Sequence, residues 1–202
     1  MIEAIKSSYQ EMPWIELIAV LSGVLYLVLA AFENIWCWFW SLLSVVLYMY
    51  ILSNAKLWAE TGLQFYYLGT TAYGFYVWKF GGRNKAEKAI EKLDIKQHFL
   101  FSGLIVLGAL GLGSFLHFNT DASMPFVDSF TTVGAIVVTY MVTRKYLENW
   151  LYWIVVDGIG VYMYWSKELY LTALLFLAYT IMVVFGYFKW LRDYRNQEKR
   201  ES

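Results

Sequence analysis

Glu148-Asn-Trp-Leu-Tyr-Trp-Ile-Val-Val-Asp-Gly-Ile-Gly-Val-Tyr-Met-Tyr-Trp165 holds, past its first residue, a single charged side chain, Asp157. A helix that crosses a bilayer takes about 20 mostly apolar residues. This run is close to that length, and six others resemble it. Together the apolar stretches are 14–32, 36–53, 58–78, 98–116, 125–143, 150–165 and 169–190. Backbone groups in hydrocarbon must pair internally, so such segments are helices or barrel strands. Runs this long without strict alternation exclude strands. The sequence predicts an all-α integral membrane protein with seven transmembrane helices. The charged stretch 79–97 reads as a solvated linker, and the charged tail 191–202 reads as frayed and cytoplasmic.

Composition supports the membrane reading. Of 202 residues, 59% are hydrophobic, 20% aromatic and 16% charged. Soluble domains carry about 25% charged residues. Formal net charge is zero, so no global field favours nucleic acid. The one cysteine, Cys37, excludes an internal disulfide and reads as a small buried hydrophobe. Glu3, Lys6 and Glu11 precede the first run, which reads as a retained helix, not a cleaved leader.

Basic residues set the expected orientation. With the N-terminus outside and the C-terminus cytoplasmic, the inner side receives Lys79, Arg83, Lys85, Lys88, Lys92, Lys96, Arg144, Lys145, Lys189, Arg192, Arg195, Lys199 and Arg200. Only Lys6, Lys56 and Lys167 face outward.

The two ends of the chain resemble each other. Glu33-Asn34 recurs as Glu148-Asn149, and Tyr48-Met-Tyr50 as Tyr162-Met-Tyr164. Leu57-Trp58 recurs as Leu169-Tyr170, Tyr67 as Tyr179, and Gly74-x-x-x-Trp78 as Gly186-x-x-x-Trp190. These matches predict a single membrane domain built 3+1+3. Residues 14–79 form the first three-helix repeat, 98–116 a linker helix and 125–190 the second repeat. An odd intervening helix keeps both units in one orientation, a parallel repeat like that of SWEET carriers. Such folds hold their substrate near mid-membrane, between the repeats.

Asn149, Trp153 and Asp157 follow at i, i+4 and i+8 and share one helix face. Asp157 lies about 13 Å along the helix from Glu148, near mid-bilayer. An ionised carboxylate there costs at least about 3 kcal/mol, so a cation, a hydrated cavity or a cationic ligand must offset it. The alternative is a protonated, hydrogen-bonded structural acid. Trp36, Trp40 and Ser44 form the matching face in the first half. Trp40 and Trp153 are candidates to stack on a flat cationic ring. Trp14 and Trp36 read as interfacial anchors. Gln64 and Tyr67 add polar groups from the third helix, and Tyr164 and Tyr179 add hydroxyls from the second half. Gly69, Gly74, Gly158, Gly160 and Gly186 are candidate close-packing positions. No phosphate-cradling loop, metal-ligand cluster or nucleophile–base pair is apparent, so the chain reads as neither an ATPase nor another enzyme, with no cofactor.

The segment from Thr143 to Asp157 resembles the signature of the PnuC family of vitamin transporters, Asn-Trp-x-x-Trp-x-x-x-Asn/Asp, present here as Asn149-Trp150-x-x-Trp153-x-x-x-Asp157. Leu57-Trp58, Leu63-Gln64 and Tyr73-Gly74-x-x-x-Trp78 also resemble the family, and the likeness extends over about residues 14–190. The resemblance implies a homotrimer in a bacterial-type inner membrane. It implies facilitated diffusion of an unphosphorylated vitamin, trapped by a cytoplasmic vitamin kinase. It puts the site on Asn149, Trp153, Asp157, Gln64, Trp40 and Ser44. The family's nicotinamide riboside carriers commonly have Asn where this chain has Asp157 and Ser44. The thiamine branch, PnuT, is similar in having the acid, so thiamine is the expected cargo, ahead of nicotinamide riboside and riboflavin.

Overall fold

The computed structural model describes residues 13–54, 58–82 and 86–201. Glu3, Lys6, Glu11, Lys56, Leu57, Arg83, Lys85 and the side chain of Trp58 lie outside the described set. Seven helices follow in order: α1 (Pro13–Ala31), α2 (Cys37–Asn54), α3 (Trp58–Phe80), α4 (Ile95–Asn119), α5 (Pro125–Thr143), α6 (Asn149–Ser166) and α7 (Tyr170–Glu201).

Local chemistry explains the boundaries. Pro13 and Pro125 open α1 and α5, where a missing N–H costs nothing. Asp94 and Gln97 form a reciprocal capping box at the start of α4. The α1–α2 turn passes through Glu33 at φ 53° and the α5–α6 turn through Lys145 at φ 55°. Both take the left-handed conformation that ends many helices, with Asn34 N donating to Leu29 O and Tyr146 N to Met141 O, and Glu168 at φ 59° does the same after α6.

Five helices, α1, α2, α4, α5 and α7, are long and apolar enough to cross a membrane. The other two, α3 and α6, fall short because they carry Gln64, Thr70, Thr71 and several tyrosines, or Asn149 and Asp157. Of these, Gln64, Tyr67, Thr70, Thr71 and Asp157 face one interior cavity.

The seven expected runs match these helices within a few residues, with two differences. The tail does not fray: α7 continues to Glu201. A Lys189–Asp193 ion pair and a bond from the Tyr194 hydroxyl to Glu198 Oε1, both i,i+4, support it. The 79–97 segment is not a plain solvated linker either. Ile90 and Leu93 are buried. The Lys88 amide donates to Trp78 O, and Glu91 pairs with the α5–α6 turn through Lys145 O and the Leu147 amide. Apolar residues spaced among its charges dock it against the helix ends.

α1 packs on α2 and α7, α3 on α2 and α5, α6 on α5 and α7, and α4 on α5. The starts of α1 and α5, of α2 and α6, and of α3 and α7 are each 112 residues apart. This constant spacing revises the drifting register expected from the sequence. At this spacing Cys37, not Trp36, matches Asn149, Trp38 matches Trp150, and Ser41, not Trp40, matches Trp153. Glu33 corresponds to Lys145. The Glu-Asn dipeptides are therefore not equivalent: Glu33-Asn34 lies in a turn, whereas Asn149 begins α6.

Two glycines 112 positions apart receive indoles that are likewise 112 positions apart. A Cβ on Gly74 would fall 2.2 Å from the Trp38 ring, and one on Gly186 2.7 Å from the Trp150 ring. Gly160 is likewise filled by Phe176, but Gly69 and Gly158 face open space, contrary to the close-packing expectation. Gly74→Ala should therefore destabilise the protein by about 1–3 kcal/mol, as overpacking does. Gly69→Ala should be neutral or mildly stabilising. Melting of the two variants in detergent micelles checks the contrast.

Candidate functional site

A cavity of about 490 Å³ lies between the two halves, lined by α1, α2, α3, α5, α6 and α7. Its volume is within the range of about 300–1,000 Å³ typical of small-molecule sites. α6 projects Trp153 and Asp157 into it, one turn apart, as their i, i+4 spacing predicts. Asp157 is only 5% exposed. α3 adds Gln64, Tyr67, Thr70 and Thr71, and α2 adds Ser41, Ser44 and Tyr48. Tyr164 and Tyr179 complete the wall from α6 and α7.

Seven of the nine side chains singled out in the sequence thus share one space: Asp157, Trp153, Gln64, Ser44, Tyr67, Tyr164 and Tyr179. Trp40 and Asn149 do not line it. Trp40 packs edge-on against Phe39, with ring centroids 5.5 Å apart. The first-half indole in the wall is Trp38 instead. The difference follows from the register: two residues along a helix turn a side chain through more than half a revolution. Asn149 is fully buried and donates through Nδ2 to Tyr146 O at 2.7 Å, so it fixes the α5–α6 turn. Ser44 is held back from the cavity centre by a 3.0 Å bond to Ala19 O. Ser41 and Thr71 share a 2.7 Å hydroxyl–hydroxyl bond that ties α2 to α3.

The sequence reading missed Asp128. It stands in the first turn of α5, half-buried, and lines the same cavity with Thr131 and Thr132. It lies in a polar, helix-initiating stretch, where an acid is ordinary, so nothing local marked it out. α5 and α6 run antiparallel, and helix rise puts Asp128 about 10 Å from Asp157 along the bundle. Neither carboxylate has an ion-pair partner among the described residues. The described residues lining the cavity include no Lys, Arg or His.

At the end formed by the α1–α2 and α5–α6 turns, the cavity has a floor of Ala30, Trp38, Val142, Trp150 and Val183, all buried. Trp38 meets Trp78 edge-on at 5.3 Å, and Trp150 meets Trp190 edge-on at 5.4 Å. This space can hold a flat ring against indole faces and set a positive charge near a carboxylate. Its described lining offers no cation to neutralise an anion.

A family model described as nicotinamide mononucleotide transporter matches residues 13–192. The nicotinamide riboside transporter PnuC of Escherichia coli (strain K12) is 27% identical over 215 residues, which cover 94% of this chain and 90% of that protein. The riboflavin/roseoflavin transporter RibM of Streptomyces davaonensis is 24% identical over 197 residues, covering 96% and 90%. The crystal structure of the vitamin B3 transporter PnuC superposes with a TM-score of 0.69 at 26% identity, covering 96% of this chain and 88% of that one.

For a cationic heteroaromatic ligand, Trp153→Ala should cost at least about tenfold in affinity, the scale of a desolvated cation–π contact and its buried area. Trp40→Phe should change affinity less than about twofold, because Trp40 lies outside the cavity wall. Isothermal calorimetry on the two variants tests the reassignment.

Proposed function

The chain belongs to the PnuC family of membrane vitamin transporters, and from that premise we propose that it carries nicotinamide riboside by facilitated diffusion. The observation that supports this most is a cavity between the halves with two carboxylates and, among its described lining, no base. Nicotinamide riboside joins a flat pyridinium cation to an uncharged sugar. The ring can stack on Trp153 while Asp157 balances its charge. Gln64 can pair with the ring carboxamide, and the threonine and tyrosine hydroxyls can meet the ribose.

The same electrostatics discriminates against phosphate. A phosphorylated vitamin brings negative charge beside Asp128 and Asp157 with no cation to receive it, and like charges in a low-dielectric site repel strongly. A kinase in the cytoplasm would therefore make uptake one-way without any ion gradient.

In this reading seven helices span a bacterial-type inner membrane. α3 and α6 turn polar side chains to the cavity and present Phe65, Phe75, Leu151 and Val155 outward, where lipid would meet them. The constant 112-residue spacing supports a 3+1+3 parallel repeat, with α4 as the linker. The bias of basic residues supports an outside N-terminus and a cytoplasmic C-terminus. A homotrimeric assembly rests on family resemblance.

Thiamine remains the second reading, because Asp157 stands where the resemblance leads one to expect Asn in a riboside carrier. The relatives' names favour nicotinamide riboside over it. Riboflavin, uncharged, gains nothing from two acids.

Asp157→Asn should weaken nicotinamide riboside binding by more than about tenfold, the loss of about 1.4 kcal/mol or more of charge stabilisation. Asp128→Asn, further from the indoles, should cost less. Nicotinamide mononucleotide should not compete. Calorimetry, with thiamine titrated in parallel, decides the cargo, and tighter thiamine binding would reverse the order. Uptake into liposomes should proceed without an imposed proton or sodium gradient; a requirement for either overturns facilitated diffusion.

A further inference from the structure

The two halves are locked together at one end of the cavity by contacts that repeat at equivalent positions. Trp78 Nε1 donates to Val142 O at 3.0 Å, and Trp190 Nε1 donates to Ala30 O at 3.0 Å. Each indole lies 20 residues past the start of the third helix of its half, and each carbonyl lies near the end of the first helix of the other. Between the two turns, Lys145 Nζ meets Glu33 Oε2 at 2.9 Å, with side chains 8% and 18% exposed. Lys145 also lies 4.6 Å from the Trp78 ring. Glu33 and Lys145 are themselves equivalent positions, and both hold the left-handed backbone. That conformation closes each helix end locally, through bonds from Asn34 N to Leu29 O and from Tyr146 N to Met141 O, and the ion pair then joins the two turns.

The same place carries polar groups that closure leaves unsatisfied. Trp38 Nε1, Trp150 Nε1 and Asn149 Oδ1 are buried without a hydrogen-bond partner among the described residues. Orphaned donors and acceptors are costly when dry and are relieved when water enters. Strong bonds between the halves are thus set against groups that gain from opening. A seal made only of satisfied contacts would be hard to release.

We propose that Glu33 and Lys145, with the paired Trp78 and Trp190 bonds, are the gating residues that close the cavity at the end of the two turns, and that cargo leaves through this end when they part. The proposal rests on the carrier reading for its cargo, but the lock itself is a property of the fold.

Cys37, the only cysteine in the chain, is a built-in reporter. It opens α2 just beyond the Glu33 turn, is fully buried, and packs in the same cluster as Trp38, Trp78 and Trp190. The experiment follows the rate at which a water-soluble maleimide labels Cys37 in the full chain, reconstituted in lipid nanodiscs. Glu33→Gln and Lys145→Met should each speed labelling at least about tenfold, as an opening equilibrium released by loss of a buried pair requires. Trp190→Phe, which keeps the ion pair, should give a smaller increase. The double charge swap Glu33→Lys with Lys145→Glu should return labelling to within about threefold of the parent, since it restores the attraction. That rescue separates a lost gate from a misfolded protein. Single variants that label at the parent rate, or a swap that labels as fast as the singles, overturn the proposal. Vitamin uptake is scored separately. Labelling that follows the pair in a protein that takes up no vitamin leaves the lock standing and removes the carrier reading.

Discussion

A carboxylate in the middle of a bilayer-sized helix cannot face hydrocarbon without a heavy desolvation cost, and the rest of this molecule is arranged around that constraint. Asp157 is turned into a cavity between the halves, where polar side chains from α2, α3 and α7 surround it. The helices that supply much of this polarity, α3 and α6, are the two whose composition is too polar for a lipid-facing span. Part of the polarity that weakens these spans, Gln64, Thr70, Thr71 and Asp157, is turned inward to line the cavity.

Closing such a space at one end requires a rigid frame. Aromatic packing supplies it. Four indoles, Trp38, Trp78, Trp150 and Trp190, meet at the cavity floor, with Trp78 and Trp190 centroids 5.8 Å apart. Gly74 and Gly186 leave the room that Trp38 and Trp150 fill. Van der Waals packing at small residues is the main glue between helices in lipid, where the hydrophobic effect is absent. Here large rings against glycines do that work twice, once in each half.

The family motif on α6 divides into scaffold and site. Asn149 and Trp150 are buried at the turn, one bonded to Tyr146 O and the other packed on Gly186 and Trp190. Trp153 and Asp157 look along the cavity wall. One helical face therefore serves two tasks, anchoring the end of the bundle and presenting ring and charge to a ligand.

Much of this was legible in the chain. Helix number, type and limits follow from hydrocarbon thickness and backbone pairing, which act locally, so apolar runs reveal them. The i, i+4 spacing of Trp153 and Asp157 was also readable, because helical periodicity decides a shared face. Three things were not. Trp38, and not Trp40, reaches the cavity, because the 112-residue register emerges only when whole helices are superposed. Asp128 joins Asp157, although the two belong to different helices and only bundle packing brings them to one space. The Glu33–Lys145 pair joins residues more than a hundred positions apart across two turns. Sequence encodes periodicity along one helix, but which faces of separate helices meet depends on how side chains of many segments fit at once, and that only the tertiary structure decides.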